Sequence, residues 1–166
     1  MRKNRPIFYN DKEKKNEIKA GGIIYYRYNK YLKDIEFLMI NCRNFYEDFG
    51  GKTDGKDKTI INTIAREANE ESNRIFNENE LLTYLKNNTG IYNKSSKYIV
   101  FFIKTDKGYN PKEFGDIELF ENIERTVEWV SYKQLQELIN QKKLHIRLKF
   151  KEFFNKIKEI KKLEIE

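Results

Sequence analysis

A pair of glycines followed by an amphipathic, acidic stretch is the feature that most constrains how this chain folds. Gly50 and Gly51 read as a turn. After them, apolar residues recur at helical spacing, which predicts a helix over residues 58–72. The apolar residues form one stripe, so we expect the helix to pack by one side. The members of this stripe are Ile60, Ile61, Ile64, Ala65 and Ala68.

Three carboxylates lie beside the apolar stripe of the predicted helix. Glu67, Glu70 and Glu71 are spaced so that they share one helical face, about one turn deep. Acids crowded in this way repel one another, and a divalent cation removes the repulsion. Oxygen ligands in this number suit Mg²⁺ or Mn²⁺. The alternative interpretation is a solvated acidic face paired with lysines, which is the commoner origin of such spacing.

The residues from Gly51 to Arg74 resemble the signature of the Nudix hydrolase family, in a variant form with one extra residue. The match reads Gly51, five residues, Asp57, eight residues and then Arg66-Glu67-Ala68-Asn69-Glu70-Glu71-Ser72-Asn73-Arg74. The family pattern has Glu in place of Asp57, one residue fewer before Arg66, Gly in place of Asn73 and an apolar residue in place of Arg74. Asn73 is a mild departure, because Asn adopts the left-handed conformation at a helix end almost as readily as Gly.

This resemblance implies an α/β fold, a Nudix-type α/β/α sandwich with a central mixed sheet. It also implies hydrolysis of the diphosphate linkage in a nucleoside diphosphate derivative, by attack of water on phosphorus. The implied cofactor is Mg²⁺ or Mn²⁺, held by the three glutamates of the helix and by the backbone carbonyl of Gly51. For a fourth carboxylate we favour Glu121, with Glu118 next, although surface positions are the alternative for both.

The implied catalytic set is Glu67, Glu70, Glu71 and Arg66, and the identity of the general base stays open. The planar fork of Arg66 suits a carboxylate, so we expect it to hold Glu70 or Asp57 rather than contact substrate. Asp54 and Asp57 are candidate caps for the start of the helix.

Two cations, Lys52 and Arg27, are candidate substrate-binding residues, and a solvated lysine is the alternative for Lys52. The small residues Gly21 and Gly22 would let a substrate approach the backbone of the first core strand.

The rest of the chain predicts a single domain over residues 20–166, preceded by a basic extension over residues 1–19. We expect strands over residues 20–28, 35–43, 97–104 and 126–132, and helices over 78–86, 133–140 and 145–163. The extension is interpreted as a loosely held terminus. A phosphate-binding arm containing Arg2, Lys3 and Arg5 is the alternative.

The formal net charge of +7 favours an anionic partner: a small nucleotide, capped RNA or an inositol phosphate. No apolar run approaches the roughly 20 residues that span a bilayer, so we expect no membrane partner. Cys42 is the single cysteine, which excludes an intramolecular disulfide. We therefore expect a reducing, cytoplasmic location.

Two functions from other classes compete with hydrolysis. The first is a catalytically silent Nudix fold that binds nucleotide or RNA as a sensor, although the full set of three glutamates disfavours it. The second is a basic RNA-binding domain, for which Tyr25, Tyr26 and Tyr28 would have to form an aromatic strand face.

Overall fold

The computed structural model describes residues 4–165. In this range the strands are β1 (Phe8–Tyr9), β2 (Glu17–Ile18), β3 (Ala20–Asn29), β4 (Asp34–Cys42), β5 (Phe45–Glu47), β6 (Phe49–Lys52), β7 (Ile91–Asn93), β8 (Tyr98–Lys104), β9 (Ile117–Glu118), β10 (Ile123–Glu124) and β11 (Thr126–Ser131). The α-helices are α1 (Ile60–Glu71), α2 (Glu78–Lys86), α3 (Tyr132–Asn140) and α4 (Lys151–Ile165). Short 3₁₀ turns lie at Pro111–Phe114 and Ile146–Leu148.

The central sheet contains seven strands in the order β11-β4-β3-β8-β7, with β5 paired to β4 and β6 paired to β3. Strand β3 pairs in parallel with β8, so that Ala20 lies opposite Tyr98. The other pairs in this sheet are antiparallel. The predicted mixed sheet is therefore confirmed.

Each face of this sheet carries its own apolar core, because residues that alternate along a strand point to opposite faces. On one face, α1 and α2 pack on the sheet through Ile64, Ala68, Leu81 and Leu85, which meet Ile23, Leu38, Ile40, Ile99 and Phe101. On the other face, α3 and α4 pack through Leu135, Phe153, Ile157 and Ile160, which meet Ile24, Phe37, Met39 and Val100. The α/β/α sandwich is confirmed. None of the helices within residues 4–165 is long and apolar enough to cross a membrane.

The start of the last helix differs from its prediction. The apolar periodicity suggested a helix from residue 145, but α4 begins at Lys151 and a separate 3₁₀ turn precedes it. The turn directs the side chain of Arg147 inward, where its Nε donates to Asp48 Oδ1 at 2.8 Å. A helix that began at residue 145 would have placed Ile146 in the stripe, whereas Ile146 is 71% exposed.

The part of the basic extension that the structure describes differs from a loose terminus. Strands β1 and β2 pair as an antiparallel hairpin, and Ile18 is buried in the core that contains α1. Thr53 Oγ1 donates to the carbonyl oxygen of Pro6 at 2.7 Å, which ties the residues before the hairpin to the end of β6. Arg2 and Lys3 lie outside the described residues.

The paired glycines form part of a strand rather than a turn. Gly50 and Gly51 lie in β6, opposite Gly22 and Gly21 of β3. A Cβ at Gly22 would overlap Asp48 and Tyr98, and a Cβ at Gly21 would press into Ile64 at 2.8 Å. The expectation that Gly21 and Gly22 open the backbone to substrate is therefore wrong, because side chains of the protein fill that space.

Candidate functional site

The start of α1 is fixed by a carboxylate–guanidinium pair. Arg66 Nε and Nη2 donate to the two oxygens of Asp57 at 3.1 and 3.0 Å, a bidentate geometry. Thr63 Oγ1 and the backbone N–H of Asp54 also donate to Asp57, at 2.7 and 2.8 Å. Burial raises the pKa of Asp57, but the hydrogen bonds from Arg66 and Thr63 outweigh it, so the pKa is lowered overall and the group stays ionised.

Asp57 is thus a partner of Arg66 and does not cap α1. The N-cap is Thr59, which forms a reciprocal capping box with Asn62. Capping by Asp54 or Asp57 was wrong, because both residues lie before the cap and Asp57 turns toward Arg66. The same guanidinium extends to Glu67 Oε1 at 3.0 Å and Glu70 Oε2 at 3.4 Å. We predicted a contact of Arg66 with Glu70 or Asp57, and the structure contains both.

The acids of α1 line a small cavity together with the two predicted loop acids. This acidic cavity has a volume of about 90 Å³. Its carboxylates are Glu47, Glu67, Glu70, Glu71, Glu118 and Glu121, and Ile40, Cys42, Ile123 and Arg125 complete its wall. Five of these six acids were predicted: Glu67, Glu70, Glu71 and Glu121 as metal ligands, and Glu118 as the alternate to Glu121. Glu47 of β5 was not predicted.

Burial is the main influence on the acids of this cavity. It raises the pKa of Glu47, Glu67 and Glu70 above the usual range, although Arg66 opposes the effect at Glu67 and Glu70. Burial raises the pKa of Glu71 furthest, with Arg147 opposing and Glu47 adding to the rise. The cavity therefore resists holding all its charges at once, which is the electrostatic condition that a bound divalent cation relieves.

The carboxylate oxygens of the cavity suit a hard cation such as Mg²⁺, but the side chains do not converge on one point. Within residues 4–165, no three His, Cys, Asp or Glu side chains converge as a metal-binding group. Glu67 and Glu70 face Arg66, and Glu71 Oε2 accepts a hydrogen bond from the backbone N–H of Gly50 at 2.8 Å. Cation binding therefore requires Glu67 and Glu70 to turn away from Arg66.

Gly51 lies directly against the side chain of Glu67, which lines this cavity. A Cβ at this position would stand only 2.5 Å from Glu67 Oε2, so the absence of a side chain at Gly51 makes room for the Glu67 carboxylate. Ligation by the Gly51 carbonyl stays a prediction.

The two predicted substrate cations lie apart from the acids. Lys52 is exposed, and its side chain borders a groove that also contains Arg5 and Lys19. Arg27 is at the opposite end of β3 from Gly21, where its guanidinium stacks 3.8 Å from the ring of Trp129 and pairs with Glu36 at 3.1 Å. The structure does not bring Arg27 to the acidic cavity.

Arg125 is a wall residue that sequence reasoning missed. It is 5% exposed and donates to the carbonyl oxygens of Gly115, Phe114 and Glu71 at 2.6, 3.1 and 3.0 Å. Its Nε has no hydrogen-bond partner in the described part of the chain. No spacing pattern marks this arginine, because its partners are backbone atoms of two separate segments.

A buried ionic network lies against the glycines of β3 and β6. Asp48 is fully buried, accepts hydrogen bonds from Tyr98 and Arg147, and is the residue immediately before β6. Arg147 also stacks 4.8 Å from the ring of Tyr98 and lies 3.9 Å from Glu47 Oε2. This network connects the far face of the sheet to the floor of the acidic cavity.

Solved structures that are similar to this chain include an Ap4A hydrolase and a NUDIX domain. Ap4A hydrolase of C. elegans, in a binary complex, is 15% identical with a TM-score of 0.48, over 88% of this chain and 96% of that one. A second structure of C. elegans Ap4A hydrolase is 17% identical with a TM-score of 0.40, over 74% and 86%. The NUDIX domain of Shewanella oneidensis NrtR, complexed with ADP ribose, is 12% identical with a TM-score of 0.47, over 78% and 82%.

No curated protein matches the chain in sequence. One family model does match, over residues 52–159, and it is described as a domain of unknown function, DUF8273. The match includes α1, α2, α3 and most of α4, and so takes in all the acids of the cavity except Glu47. Because it spans more than half of the 166 residues, the chain belongs to the DUF8273 domain family.

Proposed function

We propose that the protein is a Mg²⁺- or Mn²⁺-dependent Nudix hydrolase that cleaves the diphosphate linkage of a nucleoside diphosphate derivative in the cytoplasm. The observation that carries this proposal is the acidic cavity, which is lined both by the three α1 glutamates and by Glu118 and Glu121 from a loop distant in sequence. A solvated acidic face would not be enclosed in this way, nor would its carboxylates have raised pKa values caused by burial.

The bound cation would supply the positive charge that a diphosphate needs before water can attack its phosphorus. Glu67, Glu70, Glu71 and Glu121 would hold it, and the carbonyl of Gly51 is a further candidate ligand. Arg66, anchored on Asp57, pairs with Glu67 and Glu70 in the metal-free protein and would release them to the cation. One of the cavity acids would accept the proton from the attacking water. Lys52, on the neighbouring groove, would contact a phosphate.

The test is turnover and cation binding in variants that keep the shape of each acid. We expect Glu70→Gln and Glu71→Gln each to lower turnover roughly 100-fold or more, because losing a charged ligand removes several kcal/mol of transition-state stabilisation. Substrates should include dinucleotides, ADP-ribose, capped RNA and inositol pyrophosphates. Mn²⁺ binding, followed by electron paramagnetic resonance, should weaken in parallel.

Glu78→Gln is the matched control, because Glu78 is exposed at the start of α2 and lies outside the cavity. Near-normal turnover of both cavity variants at saturating Mg²⁺ would contradict the proposal. Nucleotide binding by the unaltered protein without turnover of any substrate would support the sensor alternative instead.

Capped RNA is a second candidate substrate, favoured by a cationic groove beside the site. The groove has a volume of about 420 Å³ and is lined by Arg5, Lys19 and Lys52 along with Thr53 and Ser96. Lys52 connects this groove to the acids, because its carbonyl oxygen accepts a hydrogen bond from Arg66 at 3.2 Å and Arg66 also donates to Glu67. A phosphate backbone in this groove would lead directly to the acids.

A further inference from the structure

Asn73 holds the loop that brings the fourth carboxylate to the site. Its backbone is left-handed, with φ of 52°, at the end of α1. Its side-chain Nδ2 donates to the carbonyl oxygens of Phe114 and Ile117 at 2.8 and 2.9 Å. Its Oδ1 accepts the backbone N–H of Leu119 at 2.9 Å. The carboxamide thus makes three hydrogen bonds to a single loop more than 40 residues away.

Glu118 holds the next residues of the same loop. Its carboxylate accepts the backbone N–H groups of Phe120 and Glu121 at 2.9 and 2.8 Å. Three consecutive amides, from residue 119 to residue 121, are therefore held by the side chains of Asn73 and Glu118. Glu121 itself is exposed, and among the described residues its side chain has no ion-pair partner that would hold it in the cavity wall.

A glycine would satisfy the backbone at position 73 equally well, because glycine reaches positive φ without strain. The carboxamide must therefore be explained by its contacts. Arg125 also binds the carbonyl oxygen of Phe114, but it fixes only the first part of the loop, at Phe114 and Gly115. The second part, from Ile117 to Leu119, is held to the end of α1 by Asn73 alone among the described hydrogen bonds.

We propose that Asn73 is a positioning residue, which sets Glu121 opposite Glu67 and Glu70 so that the loop and the helix bind one cation together. This inference rests on the proposed function of the cavity. It predicts a specific coupling: Asn73 should matter to the cation only while Glu121 retains its carboxylate.

The experiment is a double-mutant cycle on the full chain, with Mn²⁺ alone as the probe and paramagnetic resonance as the readout. We expect Asn73→Gly to weaken Mn²⁺ binding roughly tenfold, the scale on which residues behind metal ligands act. Glu121→Gln should weaken binding as well. Asn73→Gly added to Glu121→Gln should cause no further loss, because the two changes act through the same contact.

Asn44→Gly is the matched control. Asn44 has the same left-handed backbone, with φ of 65°, is exposed in the β4–β5 turn, and does not line the acidic cavity. Its replacement should leave Mn²⁺ affinity unchanged. Hydrogen exchange of the Leu119 amide in the metal-free protein gives an independent readout and should be faster in Asn73→Gly but not in Asn44→Gly.

Asn73→Asp is a second variant, which keeps the test possible if Asn73→Gly fails to fold. It keeps the acceptor for Leu119 but replaces both donations to carbonyl oxygens by repulsion, so it should also weaken Mn²⁺ binding. Unchanged affinity in both Asn73 variants, or an equal loss with and without Glu121, would overturn the positioning role. A Glu121→Gln variant that binds Mn²⁺ normally would overturn it and remove Glu121 from the proposed ligands, while hydrolysis with a cation held by the α1 glutamates would still stand. Normal binding in Glu70→Gln would overturn the proposed function itself.

Discussion

At the scale of the residue, Glu71 is the cavity acid whose ionised form burial disfavours most. Burial raises the pKa of Glu71 well above its ordinary value of 4.5, while the N–H of Gly50 and the charge of Arg147 only partly offset the rise. The folded protein therefore binds a proton at Glu71 more readily than the unfolded chain does. The stability that this proton contributes is fully present below pH 4.5 and is lost as the pH rises through the raised pKa.

Glu71→Gln should therefore stabilise the metal-free protein, and increasingly so as the pH rises from 4.5 toward 8. The gain is about 1.4 kcal/mol for each tenfold difference in proton affinity between the folded and unfolded states. Urea unfolding in the presence of a chelator measures it, with Glu78→Gln as a control at an exposed position outside the cavity. Added Mg²⁺ at pH 7 should reverse the order, since only the unaltered protein gains from the cation. A stability difference that is flat between pH 5 and pH 8 would contradict this account.

Local chemistry was predictable at this scale, and distant contacts were not. The fork of Arg66 pointed to a carboxylate, and the structure supplies Asp57 and Glu70 within nine residues of it along the chain. The residue type of Asn73 indicated its left-handed backbone. The partners of its side chain lie 41 to 46 residues away, and no local pattern can indicate them.

At the scale of the element, the pairing of β3 with β6 depends on glycines for two different reasons. The buried network of Asp48, Tyr98 and Arg147 lies against Gly22 and Gly50, since an added Cβ would meet the hydroxyl of Tyr98 in both cases. At Gly51, the three atoms nearest to an added Cβ all belong to the carboxylate of Glu67. The first two positions are constrained by packing, whereas the third is constrained by the site.

Substitutions at Gly22 and at Gly51 should therefore affect different properties, stability in the first case and cation binding in the second. Gly22→Ala should cost about 3 kcal/mol of unfolding free energy, because Asp48 and Tyr98 are held too firmly to give way. Gly51→Ala should cost less, since the end of a glutamate side chain can move, but it should weaken Mn²⁺ binding by displacing Glu67. Gly108→Ala is the control: nothing lies within 4 Å of its added Cβ, so stability should change by less than about 1 kcal/mol. Equal losses of stability at positions 22 and 108 would rule out the packing argument.

Strands and helices were predicted to within a few residues where their periodicity was strong. The prediction for α2 coincides with Glu78–Lys86, and α1 begins two residues later and ends one residue earlier than predicted. The glycine pair was misread as a turn because glycine is common in turns, whereas here it accommodates Tyr98, which comes 48 residues after Gly50. The start of α4 was missed because Arg147 turns inward to a partner that only the tertiary fold provides.

At the scale of the whole molecule, charge is distributed unevenly. The net charge is +7, yet six carboxylates line the acidic cavity. The exposed cations Arg5 and Lys19 lie on the groove beside it. An anionic polymer would therefore be held by the groove, while the acids and their cation would act on one linkage.

Binding of capped RNA should accordingly weaken with salt. Three phosphate contacts predict roughly a 20-fold loss of affinity between 50 and 200 mM salt, from a slope of about −0.7 for each contact with a single strand. Arg5→Ala with Lys19→Ala should flatten this slope by about 1.4 and leave turnover of ADP-ribose unchanged. Lys151→Ala with Lys158→Ala removes the same charge from exposed positions of α4 and should leave the slope nearly intact. Affinity that does not change over this range would remove RNA from the candidate substrates.

The ion pair between Asp48 and Arg147 joins residues 99 positions apart. During synthesis from the N-terminus, Asp48, β6 and all of α1 are therefore made long before Arg147. Arg147 is the residue that compensates the buried charge of Asp48. Until then, burying Asp48 leaves an unpaired carboxylate in the interior, at a cost of several kcal/mol. The floor of the site should consequently be among the last parts of the nascent protein to close, and a chain interrupted before residue 147 should hold the acidic helix without a finished site beneath it.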